Sequence, residues 1–159
     1  MGVKLRSGWQ APAALIGVAL LVALALGIAG IVYAHQVHAG WGPQTVNGVT
    51  LRGDIYQNHY APNASYWANT YSWASTWIYR IGVRSKGYES CDYSAGQLDW
   101  DTGWQYGYNT TVKNNTGQGG YGLYCVYQQL IESYGYHSFY DPARSINRSG
   151  SSRVFDVLK

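Results

Sequence analysis

Between residues 67 and 83 the chain alternates with a period of two, and nothing else in it constrains the fold as strongly. Odd positions carry Trp67, Asn69, Tyr71, Trp73, Ser75, Trp77, Tyr79, Ile81 and Val83, whereas even positions carry Ala68, Thr70, Ser72, Ala74, Thr76, Ile78, Arg80, Gly82 and Arg84. Successive side chains of an extended chain point to opposite faces, so the run reads as a β-strand with two unlike sides. Trp67, Tyr71, Ala74 and Ile78 also fall at helical spacing, but Ser, Thr, Asn and aromatic residues favour strands. The ring-bearing odd face is expected in the core and the small, polar, basic even face in solvent. A strand this long is expected to hold a bulge or to split in two.

The same alternation returns at 104–113, where Trp104, Tyr106, Tyr108, Thr110 and Val112 oppose polar residues. The stretch Asn114 to Gly120 reads as a turn, because Asn and Gly tolerate positive φ. Tyr121 to Gln129 reads as a buried central strand closing that hairpin, with one helical turn allowed after it. Asn47-Gly48 between β-branched residues predicts a second hairpin. Tyr134 to Tyr140 and Arg153 to Leu158 are further strand candidates. Six or seven short strands without a long helix give an all-β class: a small antiparallel β-sandwich or flattened barrel after an N-terminal hydrophobic export segment. An immunoglobulin-type sandwich is excluded, because Cys91 and Cys125 are too close in sequence and Leu123 stands where a tyrosine corner needs Tyr.

That export segment is residues 13–34, which carry no charge and follow Lys4 and Arg6. Its length suits a retained anchor, while Val37-His38-Ala39 before Gly40 suits a cleavable signal peptide. Under both readings the positive-inside bias places residues 40–159 outside the cytoplasm as one domain, secreted or membrane-anchored. There Cys91 and Cys125 are expected to form a disulfide, contributing ~3–4 kcal/mol by loop entropy.

Composition narrows the function classes. Charged residues make up 12% of the chain, about half the usual ~25%, and the net charge is only +3, which argues against nucleic acid as a partner. The aromatics are 16 Tyr and 7 Trp against 2 Phe, a bias towards rings with polar tips and so towards half-wet binding faces. No HExxH, CxxC or GxSxG motif occurs, and His35, His38, His59 and His137 are dispersed. The residues therefore call for no metal and no cofactor, and the chain reads as non-catalytic. Asp99-Trp100-Asp101-Thr102-Gly103 departs from the EF-hand pattern and reads as a polar turn. On an extended strand its two aspartates would share a side ~6.5–7 Å apart, the lower limit for an inverting glycosidase pair. Sequons at Asn63, Asn109, Asn114 and Asn147 fit external exposure.

The leading functional expectation is a secreted binding protein that recognises glycan or another cell-surface or matrix component. Tyr93, Trp100, Trp104, Tyr134, Tyr136 and Tyr140 are the candidate ligand-binding residues, being rings that the expected core does not need. The alternative is a bacteriocin-like antimicrobial acting on a neighbouring cell envelope; a small glycan hydrolase using Asp99 and Asp101 ranks third. The expected partner is a glycan or cell-envelope surface, with membrane contact only through residues 13–34 if the leader is kept.

Overall fold

The structure is a computed structural model and describes residues 34–60, 65–91, 95–120, 125 and 128–157. They form an all-β unit of seven strands: β1 (Ala34–Val46), β2 (Val49–Tyr60), β3 (Ser65–Cys91), β4 (Gln97–Asp101), β5 (Gln105–Gly120), β6 (Gln129–Asp141) and β7 (Ile146–Val157). One 3-10 turn, Pro142–Arg144, joins the last two. The leader expected at 13–34 lies, but for Ala34, outside the described residues. β1 begins at Ala34, six residues before the expected domain start at Gly40.

All seven strands belong to one antiparallel sheet in the order β1-β2-β3-β6-β7, with β4 and β5 also pairing with β3. β3, 27 residues long, is the spine of the sheet. Its first half pairs with β2 on one side and with Val112 to Gly120 of β5 on the other. Its second half pairs with β6, and opposite β6 first with Gln105 to Thr110 and then with β4. The two outer strands of the path approach each other, and Trp41 of β1 lies on Gly150 of β7, where a Cβ would stand 2.0 Å from the indole. The sheet is thus nearly closed, with side-chain packing across its seam.

Several local expectations hold. Asn47 and Gly48 both have positive φ, 49° and 80°, giving the hairpin turn whose twist matches the strands it joins. Cys91 and Cys125 are bonded, with Cα atoms 5.1 Å apart, tying the end of β3 to the approach to β6. The long alternating run is one strand, and it carries an irregularity.

Other expectations are corrected. Apart from β4, the strands are not short. Asn114 to Gly120 is no turn but the second half of β5, paired with Ser65 to Tyr71. No helical turn follows Gln129, because β6 runs unbroken to Asp141. Most of the strand expected at 121–129 lies outside the described residues. The largest correction concerns the faces of β3. Tyr66, Ala68, Thr70, Ser72 and Ala74 are buried, while Trp73, Trp77 and Tyr79 are exposed by 41%, 66% and 48%. The ring-bearing face is therefore the outer one.

The interior explains why. Val49, Leu51, Ala74, Ile78, Ile81, Phe139 and Ile146 form one apolar cluster, and Ile55, Ala68 and Val154 another. Between them the wall turns small and polar. Ser72 donates to the Gly82 carbonyl at 3.0 Å and accepts from His137 Nδ1 at 2.9 Å, while Ser152 meets His137 Nε2 at 3.0 Å. Ser133 donates to Gln57 at 2.6 Å, Ser85 to Thr70 at 2.5 Å, and His59 faces Asp156 at 3.0 Å. Each of these Ser, Thr, Gln and His side chains thus finds a partner, as desolvation demands. Rings fill the remaining space where glycine admits them: Trp100 covers Gly87, Gly117 and Gly119, where a Cβ would come within 2.1, 2.0 and 2.6 Å of it.

Candidate functional site

Once the rings of the first half of β3 point outward, they meet the outward side chains of β1, β2 and β5. Register places Tyr71 opposite Asp54 and Asn114, Asn69 opposite Tyr56 and Thr116, and Trp73 opposite Arg52 and Val112. An open groove of about 610 Å³ results, lined by Gln36, Arg52, Asp54, Tyr56, Asn69, Tyr71, Trp73 and Val112.

Its rings are held in order by one another. The Tyr56 and Tyr71 rings meet edge to face at 5.8 Å, and His38 stacks on Tyr56 at 4.4 Å with planes 20° apart. Its charges are matched within the groove. Arg52 grips both oxygens of Asp54, at 2.9 and 2.8 Å, and His38 Nε2 stands 3.0 Å from the first of them. The hydrogen bond and charge of Asp54 push Arg52 further above its ordinary range. Thr116 donates to Asn69 Oδ1 at 2.7 Å, which fixes that amide and leaves its Nδ2 group free to donate. Three aromatic rings, two planar amides and a fork-shaped ion pair thus share one concave, solvent-open surface.

The sequence-derived candidates are placed differently. Tyr93 lies outside the described residues. Trp100 is directed inward over the glycines of β3 and β5 and packs on the Ile55, Ala68 and Val154 cluster, so it serves the core. Trp104, Tyr134, Tyr136 and Tyr140 come together on the outer surface of β5, β6 and the second half of β3. Tyr134 and Tyr136 stack at 6.3 Å, and Trp104 and Tyr136 line a smaller groove of about 340 Å³ with His137, Ser149, Gly150 and Ser151. Tyr79, Tyr106 and Tyr108 join this surface, which residue-by-residue reading of the chain did not foresee.

Asp99 and Asp101 are not on one side. The register between β3 and β4 slips between Gly87 and Tyr88, leaving Asp99 as the unpaired bulge residue. Asp101 binds Arg84, stands 3.5 Å from Lys86 and accepts from Gly103 N, and the Arg84 hydrogen bond holds its carboxyl well below the usual carboxylate range. Asp99 turns towards Tyr66 and Gly119, where burial raises its pKa instead. The polar turn expected over Asp99 to Gly103 is corrected: Asp99, Trp100 and Asp101 belong to β4, and only residues 102–104 connect it to β5, with Thr102 N donating to Ser85 O at 3.0 Å. Among the described residues no three His, Cys, Asp or Glu side chains converge as a metal centre would require.

The groove residues were hidden for separate reasons. Tyr71 and Trp73 stood on the face expected inside, and His38 stood beside the expected cleavage site. Tyr56 had a visible signal: Arg52, Asp54, Tyr56 and Asn58 alternate with Leu51, Gly53, Ile55, Gln57 and His59. No protein-family model, curated protein or solved structure matches the chain.

Proposed function

We propose that the domain is an exported, non-catalytic binding module for glycan displayed on a cell surface or matrix, and that it binds in the groove between β1, β2, β3 and β5. The observation that carries this reading is the convergence of Tyr56, Tyr71 and Trp73 with Gln36, Asn69 and the Arg52–Asp54 pair in one open groove. Flat rings cover the apolar C–H face of a pyranose, while amides and a carboxylate–guanidinium fork match its hydroxyl edge. Such side chains lie in relaxed extended strands, so little ordering opposes binding.

Among the described residues that line the groove Trp73 is the only tryptophan, so it reports on the site. Titration of the exported domain with neutral oligosaccharides is expected to quench its fluorescence saturably. Trp73→Ala or Tyr71→Ala is expected to weaken binding by roughly tenfold or more with unfolding unchanged. Binding that survives both substitutions undiminished rejects the groove as the site. Growth inhibition of neighbouring cells by a domain that binds no glycan would turn the reading to an envelope antagonist.

A further inference from the structure

The cations that β3 and β7 present beside the outer rings of β5 and β6 are treated unequally. Arg84 and Lys86 share Asp101, and Arg153 is paired with Glu132. Arg80 makes no ion pair with any described residue. It is clamped by rings: its guanidinium carbon lies 4.9 Å from the centre of the Tyr106 ring and 5.1 Å from that of Tyr140. Its Nε is buried and has no acceptor among the described residues.

More rings enclose this clamp. Tyr79 meets Tyr108 and Tyr140 edge to face at 5.9 and 6.0 Å, and Trp104 lies parallel to Tyr106 at 6.0 Å. The close approach has a cause in sequence, since the Tyr106 ring lies across Gly82, where a Cβ would stand 2.7 Å from it. Cation–π contact orients a guanidinium but consumes none of its N–H donors. Arg80 is therefore a positioned cation with unused donors, set in a platform of flat rings that remain 39–58% exposed at Trp104, Tyr106, Tyr79 and Tyr108.

We infer that this platform is a second binding site, and that it takes a carboxylated sugar, the uronate class of acidic glycan. The carboxylate accepts from Arg80 while the pyranose ring lies on Trp104, Tyr106 or Tyr140. Charge complementarity selects the occupant: a neutral sugar leaves the guanidinium unanswered, and a simple anion makes no use of five rings. The site lies beyond the irregularity of β3 and shares no residue with the groove, so it stands whether or not the groove binds neutral glycan.

The test is calorimetric titration of the exported domain with oligogalacturonate, neutral oligogalactose and poly-glutamate of matched charge. Oligogalacturonate is expected to bind with an affinity that falls as salt rises. Arg80→Gln is expected to weaken that binding roughly tenfold or more, Arg80→Lys to retain part of it, and Tyr71→Ala to leave it unchanged. In the unsubstituted protein the Arg80 Nε–H resonance should shift on titration with oligogalacturonate and stay still with oligogalactose. That readout holds even if an Arg80 variant fails to fold. The inference is overturned if oligogalacturonate does not bind, if the Arg80 resonance does not move at saturation, or if a folded Arg80→Gln variant binds as the parent does. Equal affinity for poly-glutamate overturns the assignment to a sugar. Failure of the groove reading has a different signature: loss of oligogalactose binding with the oligogalacturonate response intact.

Discussion

The two halves of β3 use the same alternation in opposite phase. From Tyr66 to Ile78 the even positions face inward, and from Ile81 to Glu89 the odd ones do. Ile78 and Ile81 are both buried, with Tyr79 and Arg80 outside between them, so the strand holds one residue more than strict alternation allows. The register slip between Trp73 and Ile78 and the left-handed Asn109 of β5, with φ of 47°, accompany this change. A bulge thus turns one uniform sequence pattern into two different outer surfaces. The first half presents Tyr71, Trp73 and Asn69 to a groove whose charges are already paired. The second presents Arg80, Arg84 and Lys86, of which only Arg80 lacks a carboxylate.

What holds the halves together can be broken in order of effect. The disulfide anchors the far end of the second half, and replacing Cys91 and Cys125 by Ser is expected to cost ~3–4 kcal/mol, read from urea unfolding. Amide exchange should then show the second half losing protection before the first. Trp100 bridges them from inside, lying on Gly87 of the second half and on Gly117 and Gly119 of the strand paired with the first. Trp100→Ala is expected to cost about 3 kcal/mol by removing a packed indole.

His137 fastens the halves through Ser72, whose hydroxyl reaches across the irregularity to Gly82. Burial pushes its pKa down to about 4 from 6.5. The folded chain keeps it neutral over that interval while the unfolded chain takes up a proton. Stability is therefore expected to fall as pH drops from about 6.5 to about 4 and to level off below, by roughly 3 kcal/mol. His137→Asn should flatten that slope in urea titrations across the same window.

The smallest effect sharpens the contrast between inner and outer rings. Trp73→Ala is expected to change stability by less than about 0.5–1 kcal/mol, because its ring is 41% exposed. A cost comparable with that of Trp100→Ala would place Trp73 in the core after all.

Much of the strand content was legible in the chain, together with the Asn47-Gly48 hairpin and the Cys91–Cys125 bond, because each rests on short-range geometry. The second half of β5 was not, since Asn114 to Gly120 has the composition of a turn. Its glycines answer to Trp100, an indole whose position depends on pairing between β3 and β4. The candidate site was legible in residue type and not in address. Trp104, Tyr134, Tyr136 and Tyr140 do share a surface, but Trp100 turned inward and the residues of the larger groove came from the face assigned to the core.

The sequence by itself determined that this chain makes two-faced strands, turns at Asn47-Gly48 and has two cysteines at a bridgeable spacing. Only the tertiary structure decided which face of each strand is inner. Alternation says that two faces differ; it names the buried one only when that face is plainly the more apolar. Here Ser72, Ser85, Thr70, Gln57 and His137 find hydrogen-bond partners inside, and Trp41 and Trp100 fill the gaps over glycine, so the inner wall takes Tyr66 but leaves little room for the other large rings of β3. Trp73, Trp77 and Tyr79 lie outside because the nearly closed sheet, once Tyr66, Phe139 and Trp100 are within, leaves space for small, hydrogen-bonded side chains.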